Sequence, residues 1–219
     1  MPTMEKLTEA QQAYQQIREA ILRGELLPGQ RLVEKDLVER YNLGRAAIRS
    51  ALTRLQQEGL VESEAYRGAW VRVVSEEEAL EILEARMVLE SLAARYAAQK
   101  AGSKDVARLN EILELMRVKL EEGDLLGVSE LNSLLHQTLL EISGHKTVQR
   151  LVEALRAQVV RHQFRTILVP GRSQRSLEEH QRIVEAVAAH DAEGAEKAMR
   201  AHLEGVIAAL QQASRGVDV

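Results

Sequence analysis

The sequence has no cysteine, which excludes disulfides, thiolate zinc sites and cysteine nucleophiles and leaves histidine, aspartate, glutamate and asparagine to hold any metal. Proline and aromatic residues are scarce. Three prolines and six aromatic side chains (Tyr14, Tyr41, Tyr66, Trp70, Tyr96, Phe164) punctuate a chain rich in Ala, Leu, Glu and Arg, the make-up of a mainly α protein. No run of about 18 apolar residues occurs, and the opening MPTMEKLTEAQQ has no hydrophobic signal region, so a cytoplasmic protein without a membrane span is expected. A basic excess is missing too: the net charge is −4, which argues against nucleic acid when the chain is taken whole. What is present is 219 residues, 45% apolar and 28% charged, enough for one large core or two small ones.

The charge is unevenly placed. Residues 1–75 carry eleven Lys and Arg against ten Asp and Glu, and the remainder eighteen against twenty-three, so the two parts are +1 and −5. Within the first part, GRAAIRSALTR at 44–54 holds Arg45, Arg49 and Arg54 and no acid.

Thr8 and Gln11 form a capping-box pattern before Tyr14, Ile17, Ala20 and Ile21, predicting a first helix that ends at Gly24. A Leu27-Pro28-Gly29 turn, a short helix over about 33–41 and the link Asn42-Leu43-Gly44 lead to a third helix with Ile48, Ala51, Leu52 and Leu55 on one face. Beyond Gly59 the period changes to two β-prone runs around a polar tip at Arg67-Gly68. Three helices and a small β-hairpin predict a winged helix-turn-helix over 1–75. From Ser75, whose partner Glu78 completes another cap, helices are predicted at about 76–100, 104–122, 124–143, 147–169, 174–190 and 192–213, an all-helical six-helix bundle over 76–219.

A recognition helix presents its first turns to base edges, and arginine matches the paired acceptors of guanine. Arg45 and Arg49 are therefore the expected base or phosphate readers, with Arg54 further along the same basic helix. Lys35 at the start of the second helix is placed to touch the DNA backbone, and Arg67 with Gly68 at the wing tip to meet phosphate or a minor groove. Three arginines on one helix are by themselves an ordinary solvated face. The order around them favours DNA, and it carries a resemblance.

Ile21-Leu22-x-Gly24-x-Leu26-x-Pro28-Gly29-x-x-Leu32-x-Glu34-x-x-Leu37, followed by Arg45-x-x-Ile48-Arg49-x-Ala51-Leu52-x-x-Leu55-x-x-Glu58-Gly59-Leu60-Val61, resembles the N-terminal domain of the GntR family of bacterial transcription regulators. Where the family pattern has Ser, Pro and Glu around the two arginines, this chain has Gly44, Ala47 and Ser50. Glycine is a tolerable N-cap, so the helix should survive, whereas removing a carboxylate beside DNA puts the usual operator preference in question.

In the second part three histidines interrupt apolar faces: His136 beside Leu135 and Leu139, His180 beside Leu177, Ile183 and Val184, and His202 beside Met199, Leu203 and Val206. One such histidine is most simply a hydrogen-bonded core residue. Three imidazoles turned into one bundle need shared partners, and a divalent metal supplies them. Asn132, one turn before His136, offers a carbonyl oxygen on the same face. Asn132-x3-His136, His180 and His202-Leu203 also resemble the metal pattern of the all-helical FCD domain in the FadR-like branch of the GntR family. There the first ligand is usually Asp, so Asn132 would leave the site more positive and more attractive to an anion. Three imidazoles favour zinc or nickel over magnesium.

Arg86 has two readings: an intrahelical pair with Glu90, or, as the likeness of Glu84-x-Arg86-x-x-Leu89-Glu90 to the FCD opening segment implies, an effector-facing guanidinium. Arg161 is a second candidate clamp for a carboxylate effector. The expected protein is a non-enzymatic DNA-binding regulator, a repressor acting as a homodimer on a palindromic operator and controlled by a small organic acid at a metal site. The alternatives are a regulator for which the ion itself is the signal, and a His-metal hydrolytic enzyme.

Overall fold

The computed structural model describes residues 7–215, without the side chains of residues 160, 161, 163, 164, 214 and 215. The chain divides into two compact units, 1–74 and 75–219.

In the first unit, α1 (Glu9–Leu22) starts on the Thr8/Gln11 capping box, α2 (Glu34–Tyr41) ends on Asn42 in the left-handed conformation, and α3 (Arg45–Gln57) starts on Gly44 with no side-chain cap. The faces of α1 and α3 meet around Ala13, Ile17, Ile48 and Leu55, all fully buried. The expected hairpin, β2 (Val61–Glu64) and β3 (Gly68–Val71), is joined by a third antiparallel strand, β1 (Arg31–Leu32), giving the order β1-β3-β2. Two residues are too short for a periodic signal, so β1 was not legible in the sequence; it pairs Arg31 with Trp70 and Leu32 with Ala69 and buries Leu32 beneath the wing.

In the second unit, α4 (Glu76–Lys100) begins on the Ser75 cap and is contacted by several other helices of the bundle. The other helices are α5 (Ser103–Glu121), α6 (Leu125–Ser143), α7 (Lys146–Gln158), α8 (Val160–Ile167), α9 (Arg172–Ala188) and α10 (Ala192–Arg215), of which α6, α7, α9 and α10 pack on α4. Its buried Ala93, Ala94, Ala97 and Ala98 are small enough for close helix approach, and α10 packs along it. Leu109, Ile112, Met116, Leu135, Leu139, Ile183, Val187, Met199 and Leu203 fill the core between α5, α6, α9 and α10.

Among the described residues the bundle therefore has seven helices, one more than expected. The helix predicted over 147–169 is broken at Val159 (φ −108°, ψ 12°), which is 1% exposed. No glycine or proline marks the break. Its reason is tertiary: α7 packs on α4 while α8 packs on α10, and one straight helix could not follow both.

Candidate functional site

On the winged unit, Arg45 opens α3 and is exposed, and Arg49, one turn later, lies on the same face. Arg49 Nε donates to both carboxylate oxygens of Glu34, at 2.8 and 2.9 Å, and this pairing raises the pKa of its guanidinium. Lys35 is exposed on α2, with its ammonium 3.9 Å from Glu39. Arg67 donates to Glu64 across the wing turn at 2.7 Å, and its carbonyl accepts from Arg31 at 2.9 Å. Gly68 follows with φ 88°, where a side chain would be strained. Before it, Tyr66 has φ 66° and is completely exposed at the tip, a position that pattern reading passed over.

Arg54 is placed apart from these residues. Nine positions beyond Arg45, it lies half a turn around α3, where its guanidinium sits 3.7 Å from the centre of the Tyr14 ring and 3.3 Å from Glu58. Tyr14 donates to the same carboxylate at 2.8 Å. Arg54 therefore ties α3 to α1.

In the bundle, His136 of α6, His180 of α9 and His202 of α10 converge, each no more than 2% exposed. One nitrogen from each ring lies within 4.8 Å of the others. His136 Nδ1 donates to Glu90 at 2.6 Å and His202 Nδ1 donates to Glu179 at 2.8 Å, so both rings keep an Nε2 lone pair for the cluster. The Nε2 atoms of His136 and His180 are 3.2 Å apart, and His180 Nδ1 is buried without a hydrogen-bond partner. Two imidazole nitrogens on one tetrahedral ion lie about 3.3 Å apart, so the cluster fits a divalent transition metal. Burial pushes all three histidines below their ordinary pKa, His180 and His202 well below, which keeps the rings neutral and able to ligate.

Two carboxylates brace this cluster from outside. Glu90 also accepts from Arg86 Nε at 2.8 Å; burial alone would raise its pKa, but Arg86 and His136 hold it well below the usual carboxylate range. Glu179 also accepts from Arg172 at 2.8 Å, and burial pushes its pKa up against the pull of that arginine. Both carboxylates orient imidazoles, which accounts for them without a general-base role. Arg156 stands nearby, within 3.4 Å of the Ser133 carbonyl, and burial followed by the Arg86 charge pulls it down to about 10.

A cavity of about 50 Å3 opens beside the cluster, lined by Arg86, Asn132, His136, Arg172, Ser176 and His202 among others. Asn132, one turn before His136, also lines it. The intrahelical pair expected for Arg86 is present, its Nε bound by Glu90; its Nη1 is buried without a partner, and the residue lines the cavity. Arg161 belongs to α8, and its side chain is outside the described part of the structure.

Sequence reasoning missed Arg172 and Gly205. Arg172 follows the Pro170-Gly171 turn and shares a helical stripe with Ser176 and Glu179, a signal available beside His180. Gly205 lies within α10, where glycine costs about 1 kcal/mol relative to alanine. A Cβ there would come within 2.9 Å of Glu179 Oε1 and 3.4 Å of Arg172 Nη2, so a side chain at this position would oblige the Glu179 carboxylate to shift.

Residues 9–71 match the family described as "Bacterial regulatory proteins, gntR family", and residues 81–205 match the FCD domain. The chain belongs to the GntR family of transcription regulators, in its FCD-containing branch. Curated relatives of this GntR regulator agree with that assignment. The HTH-type transcriptional regulator LutR of Bacillus subtilis is 30% identical, covering 85% of this chain and 94% of its own. The HTH-type transcriptional repressor RspR of Escherichia coli is 27% identical over 92% of this chain and 89% of its own. In fold, the regulator is similar to E. coli McbR/YncC, with a TM-score of 0.80 over 94% of this chain and 99% of that one at 23% identity. The family consists of DNA-binding regulators and not of enzymes. No helix among the described residues is long and apolar enough to cross a membrane.

Proposed function

We propose that this GntR regulator is a cytoplasmic repressor that binds a palindromic operator as a homodimer and responds to a small carboxylate held beside a metal ion in its FCD domain. The observation that carries the reading is the buried His136, His180 and His202 cluster opening onto a cavity that also presents Arg86. His136, His180 and His202, with the Asn132 carbonyl, would hold zinc or nickel, and the ion would supply a Lewis-acid anchor for a carboxylate. Arg86 Nη1 would then bind the same anion through a charge-assisted hydrogen bond. A cavity of about 50 Å3 suits a short acid.

At the operator, Arg45 and Arg49 would meet bases or phosphates, Lys35 the backbone, and Arg67 with Gly68 the groove beside the recognition helix. Arg54 belongs to the α1–α3 contact instead. The repressor reading is supported by the name of the relative RspR. The experiment is fluorescence anisotropy with the promoter of the gene's own operon, at several salt concentrations and with and without chelator. Expected is tight binding with a steep salt dependence and release by a short carboxylic acid only when the metal is present. Absence of specific binding would overturn the operator reading, and release by chelator alone would favour the ion as the signal.

A further inference from the structure

Among the described residues, the cavity beside the histidines is lined by two arginines and two histidines and by no aspartate or glutamate. Its arginines come from different helices, Arg86 from α4 and Arg172 from α9. Both are almost wholly buried, at 2% and 4% exposure. Each is held by one carboxylate on one side: Arg86 Nε on Glu90 and Arg172 Nη2 on Glu179, both at 2.8 Å. Each then has a second nitrogen, Nη1, that is buried without a hydrogen-bond partner.

Each bracing carboxylate also accepts from an imidazole Nδ1, and neither reaches the Nη1 of its arginine. A buried guanidinium N–H with no acceptor costs free energy, so two arginines of one cavity lining each lack an acceptor that a bound anion could supply.

We propose that Arg172 is a second specificity-determining arginine of this pocket and that the ligand it selects is a short dicarboxylate rather than a monocarboxylate. One carboxylate is met by Arg86 and the other by Arg172. Asn132 strengthens the selection, since an amide at that position brings no negative charge to oppose a dianion. Gly205 leaves room for this pair, since a Cβ there would lie 2.9 Å from Glu179 Oε1 and 3.4 Å from Arg172 Nη2. The inference rests on the reading of the cavity as a small-acid site.

The test is isothermal titration calorimetry on the zinc-loaded full-length protein with malonate and succinate against acetate and propionate. The diacids are expected to bind at least tenfold more tightly than the monoacids, about the size of one charge-assisted hydrogen bond. In Arg172→Met the ratio of diacid to monoacid affinity, compared at equal zinc occupancy, should shrink to within threefold, and Arg172→Lys should keep part of the preference. Equal binding of mono- and diacids by the wild type overturns the proposal, as does an undiminished preference in Arg172→Met. If Arg172→Met does not fold, Arg172→Lys decides: an undiminished preference there overturns the proposal in the same way. Heat from none of the four acids, with zinc bound, overturns the small-acid reading itself, which separates that failure from failure of the dicarboxylate assignment.

Discussion

Arginine meets glutamate on both units of the molecule, with opposite consequences. Arg49 and Glu34 pair on the winged surface, where the arginine side chain is 66% exposed, whereas Arg86 and Glu90 pair at 2% exposure inside the bundle. Water competes for the first pair and screens it, so that contact can be exchanged for another at little cost. The second pair has no solvent to fall back on. Removing either member strands the other, together with the His136 ring that shares Glu90. The same two side chains thus make an exchangeable contact in one place and a fixed scaffold in the other.

Removing Glu90 tests this difference at its strongest. Glu90→Ala should destabilise the bundle by about 3–5 kcal/mol in chemical denaturation, because Arg86 and His136 lose a common buried acceptor. A loss below 1 kcal/mol would show that water reaches this centre, and the contrast between the units would fail.

Acid tests the same centre without mutation. Burial depresses the folded-state pKa values of His136, His180 and His202, so below about pH 6.5 the unfolded chain takes up protons that the folded bundle refuses. Stability of the chelator-treated protein should be fully present above that pH and fall as the pH drops toward the depressed values, measured as the denaturation midpoint from pH 7.5 to 5. A flat profile would mean that the three rings titrate as if in water.

The winged unit gives the smaller effects on stability. Arg49→Ala should leave the melting temperature nearly unchanged yet weaken operator binding by roughly tenfold or more and lower the salt slope by about 1, read by anisotropy. Arg54→Ala should do the reverse: operator affinity stays within about twofold, and stability falls by about 0.5–1 kcal/mol through loss of the contact with Tyr14. If Arg54→Ala weakened operator binding as much as Arg49→Ala, both faces of α3 would be at the DNA.

The winged fold was legible because its signals are local. The Thr8/Gln11 box, the Pro28-Gly29 turn and the apolar face of α3 each act within a few residues. The two-residue strand β1 and the break at Val159 were not legible, since partners distant in sequence create both. In the site, the three histidines stood out as polar interruptions of apolar stripes, and Arg86 with Glu90 as a one-turn pair. Arg172 shares a helical stripe with Glu179, yet what sets it apart is a buried position that no local pattern reports. Arg54 looked like its neighbours Arg45 and Arg49, and only the docking of α1 separated it from them.

By itself, the sequence determined the helices, their caps, the basic opening of α3 and the absence of thiol ligands, because each depends on residue type and short-range spacing. Tertiary structure decided which histidine nitrogens face one another and which guanidinium nitrogens are left over. Those outcomes depend on acceptors far along the chain, with Glu90 and His136 46 residues apart and Arg172 and the His202 carbonyl 30 apart. A buried donor is satisfied or stranded only after every other group around it has been placed.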